Sequence, residues 1–183
     1  MNAPEYTEVL SSRPLSSSAL EAQIYAEVGR VVCYCLEENR DASFFAFEQG
    51  LLGLVSRLGA LFMALCLAFR HEQLDLEDWG RDSFERVKDP IQRTLKTRYG
   101  RVPYWRSYVV KKGGGGFHPL DALLGLTRDG FSPQMISVVT RLATWVSFGV
   151  ATRLCGAMLG WSPSVESIEC LVLGLGRQGA AYM

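Results

Sequence analysis

Apolar and polar positions change rhythm twice along the chain. Ser18-Ala-Leu-Glu21 has the form of a capping box, in which the serine oxygen and the glutamate carboxylate satisfy each other's backbone donors. It predicts a helix running to about Glu38. Asn39-Arg40-Asp41 then reads as a turn, with Asp41 or Ser43 as the next N-cap. A second helix is predicted over about Phe44 to His71, apolar on most faces. Such a helix needs a partner, so burial in a bundle or a homodimer is expected. Gly50, Gly53 and Gly59 each cost about 1 kcal/mol there relative to alanine, which close packing of another helix would make tolerable. Residues 72–95 form an amphipathic, acidic-to-basic stretch in which Pro90 ends or restarts a helix.

The period changes over residues 96–112. Val102, Tyr104, Tyr108 and Val110 alternate to one side of an extended chain, and Arg101, Trp105 and Val109 to the other. Thr, Val, Tyr and Trp favour strands, and Pro103 limits the pairing to an edge or an irregular ladder. One or two short strands are predicted, followed by a flexible hinge at Gly113–Gly116. A helical rhythm returns at Leu120–Leu126, stopped near Gly125. Three helices follow. The first covers about Pro133–Trp145, with Ser132 as cap and proline at the first helical position. The second covers Phe148–Leu159, capped by Ser147 and ended by Gly160. The third covers Pro163–Leu173, capped by Ser162. The fold class expected is mainly α. It comprises a helical N-terminal region over 1–95 (a bundle serving packing or dimerisation), a basic-aromatic β-ribbon and glycine linker over 96–116, and a helix-turn-helix-like unit over 117–183.

Charge sharpens this division. The formal net charge is +0 over 183 residues. Residues 1–85 nevertheless carry six basic and fourteen acidic side chains, and residues 86–183 thirteen basic and five acidic. That asymmetry points to a polyanion-binding C-terminal part. The 48% hydrophobic content is that of a folded protein. The five cysteines have no paired spacing and read as reduced, buried residues of a cytosolic protein. Neither they nor His71 and His118 form a metal-ligand pattern, so neither a metal nor a cofactor is expected. No signal peptide is read at the acidic N-terminus. Glu48, Gln49 and Arg57 interrupt the apolar stretch Phe44–Phe69, leaving an uninterrupted run of twelve residues. A membrane span wants roughly 20, so a core or dimerisation helix is the better reading, and no membrane partner is expected.

Between Thr97 and Lys112 lie five basic residues, four aromatics and no carboxylate. Arg98, Arg101, Arg106, Lys111 and Lys112 are placed to grip phosphates, while the aromatics stack or pack. The second and third C-terminal helices are joined by Gly160-Trp161-Ser162, the spacing of a helix-turn-helix whose second helix enters a DNA groove. Val150, Leu154, Ala157, Val165 and Ile168 are the expected inner face. Ser162, Ser164 and Ser167 are the expected phosphate or base contacts, with Glu166 and Glu169 also outward. No spacing organises the carboxylates around a metal or a nucleophile; Asp121 reads as a cap of the short helix. The four glycines lack the context of a phosphate loop, and no catalytic residue is assigned.

Thr97-Arg98-Tyr99-Gly100-Arg101-Val102-Pro103-Tyr104-Trp105-Arg106-Ser107-Tyr108 resembles the T-x-[FY]-G-x-V-x-x-x-R-x-Y block of Kra-type insertion-sequence transposases and the related uncharacterised protein family 0236. The similarity continues through Pro119–Leu126 (PLDALLGL), Phe131-Ser132-Pro133, Ala143–Ala151 and Ser162–Ile168, spanning about residues 43–183 and strongest from 97 onward. The resemblance implies a bacterial protein that binds double-stranded DNA at the terminal repeats of its element; a cytoplasmic location and a possible homo-oligomer are expected from the cysteines and the apolar second helix. In that family a downstream RNase H-like domain holds divalent metal on three carboxylates. No residue of this chain matches those motifs, so a truncated, frameshifted or split product without catalytic activity is expected. The alternative is a helical interaction or dimerisation module that regulates a full-length transposase without DNA specificity of its own.

Overall fold

The computed structural model describes residues 16–38, 41–75, 84–127 and 129–180. It is mainly helical, with one small antiparallel sheet. Helix α1 spans Ser17–Cys33 and continues as a single π-helical turn, Tyr34–Glu38; α2 spans Phe44–Glu72. Strands β1 (Phe84–Thr97), β2 (Gly100–Lys111) and β3 (Gly116–Phe117) follow in the order β1-β2-β3. Then come α3 (Pro119–Leu123), α4 (Pro133–Trp145), α5 (Phe148–Leu159) and α6 (Val165–Ala180).

The cap of α1 lies two residues before the expected one: the Ser16 oxygen accepts the Ala19 amide, and Glu21 instead accepts from the Tyr25 hydroxyl. α2 begins where the sequence puts it, with Ser43 capping Ala46. The two helices form an antiparallel hairpin closed at its base by Ser17, whose amide and hydroxyl both donate to the Glu72 carboxylate. Between them Glu27 is buried and faces Arg57 at 3.3 Å and Arg30 at 3.4 Å. Arg57, which breaks the apolar run of α2, is thus turned toward α1.

The lower half of the hairpin packs on the sheet. Leu20, Ile24, Leu61, Ala64 and Leu67 join Leu95, Val102, Tyr104 and Leu120 in one core. α2 runs along β2 from Gly59, where a Cβ would strike the Tyr99 ring, to His71 beside Ser107. Gly50 similarly makes room for the Tyr34 ring. Aromatic rings, not a neighbouring helix backbone, occupy these two glycine positions. The upper half of the hairpin has no buried residue over 28–38 or 41–60. Of the two settings expected for α2, a core helix or a dimerisation helix, the first is corrected within this chain: only Leu61, Ala64 and Leu67 of α2 are buried, because only its second half, from Gly59 on, runs along the sheet. α2 is also continuous through Glu48, Gln49 and Arg57, and by length and composition it is long and apolar enough to cross a membrane.

β1 corrects a second expectation. Residues 84–95, read as helix, are extended, and the part of that segment over 76–83 lies outside the described residues. β1 pairs with β2 from Phe84↔Lys111 to Thr97↔Gly100, and the ladder shifts register between Lys88 and Ile91. That irregularity takes up Pro90, which cannot donate to a ladder. The pairing makes one long hairpin in place of short strands, and position 95 falls inside β1. Within β2 the expected alternation holds for buried Val102 and Tyr104. Val109, expected on the other side, is fully buried where β2 pairs with β3, while Val110 is half-buried.

Gly113–Gly116, where a flexible hinge is expected, forms a turn. Gly113, Gly114 and Gly115 all have positive φ, and the Lys111 amide donates to the Gly115 carbonyl at 3.1 Å.

A second core is built by α4, α5 and α6 around Phe131, with Met135, Val139, Ala151, Cys155, Ile168 and Leu171. α4 and α5 have the expected limits, Ser132 caps Met135, and Gly160 ends α5 at φ 70. The inner face of α5 is rotated by one residue from the expected one. Ala151 and Cys155 are buried, Val150 and Leu154 are half-buried, and Ala157 and Val165 are exposed. The cysteines are likewise not uniformly buried: Cys155 is, whereas Cys35, Cys66 and Cys170 are exposed.

Candidate functional site

The β1–β2 turn is held by its first residue. The buried Thr97 hydroxyl donates to the Gly100 carbonyl at 3.0 Å and accepts the Tyr99 amide at 3.1 Å. Gly100 takes φ 112, which spares Arg98 and Tyr99 any left-handed conformation. Arg98 and Arg101 project from this turn into solvent. Opposite Arg101 in the ladder stands Lys96, whose Nζ lies 3.4 Å from Ser167 Oγ and 4.4 Å from the centre of the Phe131 ring. Burial, reinforced by the Arg101 charge and opposed by Asp129, lowers the Lys96 pKa. The backbone makes the same connection: Lys96 donates to Gly130 and accepts from Ser132, pairing β1 with Phe131.

Lys96 therefore brings the ribbon tip beside the first turn of α6. That helix starts two residues later than expected, at Val165. Ser164, not Ser162, is its cap and accepts the Ser167 amide at 3.1 Å. Ser162 and Ser164 are exposed, while Ser167 is half-buried between Lys96 and Ser164. Asp129 and Glu166 share with Lys96 a shallow depression of about 190 Å³. The tip is therefore basic outside and mixed in charge at its root.

Lys111 and Lys112 lie at the other end of β2 and are exposed, with Lys111 Nζ 5.0 Å from the Phe117 ring centre. Ten residues of strand from Arg101 to Lys111 span at most about 34 Å. The expected phosphate-binding cations thus form two groups at the ends of one ribbon.

Arg106, between those groups, turns inward. It and Arg93 both donate to Asp121 Oδ2, the Arg93 bond being 2.9 Å, while the Tyr104 hydroxyl donates to Asp121 Oδ1 at 2.7 Å. Arg93 also reaches the Thr127 carbonyl at 3.0 Å. Asp121 is buried and is not the cap expected of it: the N-cap of α3 is His118, and the Asp121 carboxylate joins α3 to both long strands. Burial, then the neighbouring Arg93 charge, lowers the Arg106 pKa. Burial raises that of Tyr104 against the pull of both guanidiniums. His118 Nδ1 donates to the Ser107 carbonyl at 2.8 Å, and its ring meets Tyr108 edge-on. Arg93, Arg106, Tyr108, His118 and Asp121 line an open cavity of about 520 Å³. Two sequence signals touch this cluster: Asp121 is among only five acidic residues in the basic half, and Arg106 and Asp121 both fall in the motif blocks singled out above.

No family model, curated protein or solved structure matches this chain. What can be read of its chemistry comes from its own side chains. Among the described residues no three His, Cys, Asp or Glu side chains gather as a metal site. The thiol of Cys155 is raised by burial. That of Cys33 is raised first by its hydrogen bond to Glu37, so neither cysteine is an activated nucleophile. The arrangement offers cations, hydroxyls and a helix start to an extended anion.

Proposed function

We propose that this chain is a DNA-binding portion of an insertion-sequence transposase that recognises the terminal repeats of its element and performs no strand chemistry by itself. The observation carrying this reading is the exposed Arg98–Arg101 turn set beside the first turn of α6 through Lys96 and Phe131. In this reading α5 and α6, joined through Gly160–Ser164, act as a helix-turn-helix. α6 is the groove helix, and Ser162 and Ser164 meet phosphate or base edges near its positive end. Glu166 accepts from a cytosine amino group and disfavours other bases at that position. Lys111 and Lys112 reach phosphates up to about 34 Å from the tip, the rise of one turn of duplex. Arg106 supports the ribbon through Asp121 and does not itself touch DNA. The order of the motifs from Thr97 to Ile168 supports the transposase class, and the charge asymmetry supports the anionic ligand.

The test is a filter-binding titration of the folded chain on duplexes carrying the terminal repeats and on scrambled duplexes, between 50 and 200 mM salt. Affinity should fall steeply with salt, and the double variant Arg98→Ala/Arg101→Ala should lower the slope of log K against log salt by about 2. Absence of binding at low salt would overturn the proposal. Equal binding to both duplexes would remove the terminal-repeat specificity from it.

A further inference from the structure

The upper half of the α1–α2 hairpin stands clear of the sheet, and α2 carries a regular apolar stripe on its open side. Phe45, Leu52, Val55, Phe62 and Phe69 are between 46% and 69% exposed, and Cys66 is exposed among them. Their spacing alternates between three- and four-residue steps once Glu48 and Gly59 are counted at the intervening positions. That is the a/d seam of a coiled coil, left without a helical occupant among the described residues, on the side opposite Leu61, Ala64 and Leu67. Tyr99, itself exposed, covers Gly59 and fills the gap in the stripe.

We propose that this stripe is the interface between two copies of the chain, paired antiparallel about a two-fold axis near Gly59. Three observations select that occupant. A 3.5-residue repeat fits the ridge of another helix; a bilayer makes no such demand on periodicity. The area is sufficient as well. With about 200 Å² for a whole aromatic side chain, the five exposed residues supply on the order of 500 Å² per copy. Two copies bury roughly 1,000 Å² from these residues alone, the threshold for a specific interface. The charges select the orientation. Glu48 and Arg70 are both exposed and stand eleven residues on either side of Gly59. An antiparallel pair sets Glu48 of each copy against Arg70 of the other, whereas a parallel pair sets Glu48 against Glu48. The two Tyr99 rings then flank the axis, and the two ribbon tips that bear them are brought together.

Sedimentation equilibrium of the full chain is expected to show a monomer–dimer equilibrium, shifted to monomer by Val55→Glu/Phe62→Glu. The orientation is read from surface variants that leave the core untouched. Glu48→Arg should weaken the dimer about three- to tenfold. Arg70→Glu should do the same, and Glu48→Arg/Arg70→Glu together should restore wild-type affinity. A monomer at every concentration overturns the proposal. So does a dimer indifferent to both single variants, because the Glu48–Arg70 pairing is then wrong. Co-sedimentation of a monomer with phosphatidylcholine–phosphatidylglycerol vesicles overturns it in favour of a bilayer.

Discussion

At the scale of single residues, Asp121 ties three elements together. Its two oxygens take donors from Arg93, Arg106 and Tyr104, and through them fix α3 against β1 and β2. The local cost of truncating it is set by what remains: two guanidiniums whose side chains are only 16% and 14% exposed, with no carboxylate between them. Breaking a buried pair from one side costs about 3–5 kcal/mol. Asp121→Ala is therefore expected to destabilise by about 3 kcal/mol, measured as a lower urea midpoint with unchanged slope. A change under 1 kcal/mol would contradict the role assigned here. Little of this was legible beforehand. A helix-starting aspartate reads locally as a cap, and nothing in its neighbours announces arginines 28 and 15 residues earlier in the chain.

Elements whose boundaries are decided within a few residues read well. Ser132-Pro133 opens α4 and Gly160 closes α5 where local rules put them, since capping and left-handed termination need no distant partner. α6 is instructive because two serines compete. Proline at 163 is buried in the irregular segment before α6, and the cap is Ser164. Replacing that serine with alanine is expected to cost about 1 kcal/mol of thermal stability, whereas Ser162→Ala should change stability little; calorimetry of both variants distinguishes the two caps. β1 does not read as a strand because its charged residues alternate irregularly around Pro90. Its extended form is imposed by β2, which supplies the ladder.

At the scale of the molecule, the two cores are joined where Phe131 pairs with Lys96 of β1, and a second seam binds α2, β2 and the approach to α3. His71 on α2 lies 3.5 Å from Ser107 Oγ, and His118 holds the Ser107 carbonyl. Burial lowers the pKa of both histidines, outweighing Glu72 at His71 and the Ser107 hydrogen bond at His118. The unfolded chain then binds more protons than the folded one once pH drops below the ordinary histidine value of 6.5. Stability is fully retained above about pH 6.5 and falls progressively below it. Melting temperature against pH should show this fall, reduced in His71→Asn/His118→Asn. A profile flat from pH 7 to 5.5 would refute the link.

The division between sequence and tertiary structure follows from the range of the interactions. By itself the chain determined its charge asymmetry, the positions of α2, α4 and α5, and the basic-aromatic character of residues 97–112, because composition, caps and helix terminators act locally. Only the fold decided that Arg106 turns inward to Asp121 while Arg98 and Arg101 stay outward. Only the fold placed Lys96 against α6 and left the stripe of α2 open. Each of these depends on which surfaces meet across tens of residues, and burial and pairing energies at such contacts outweigh local preference.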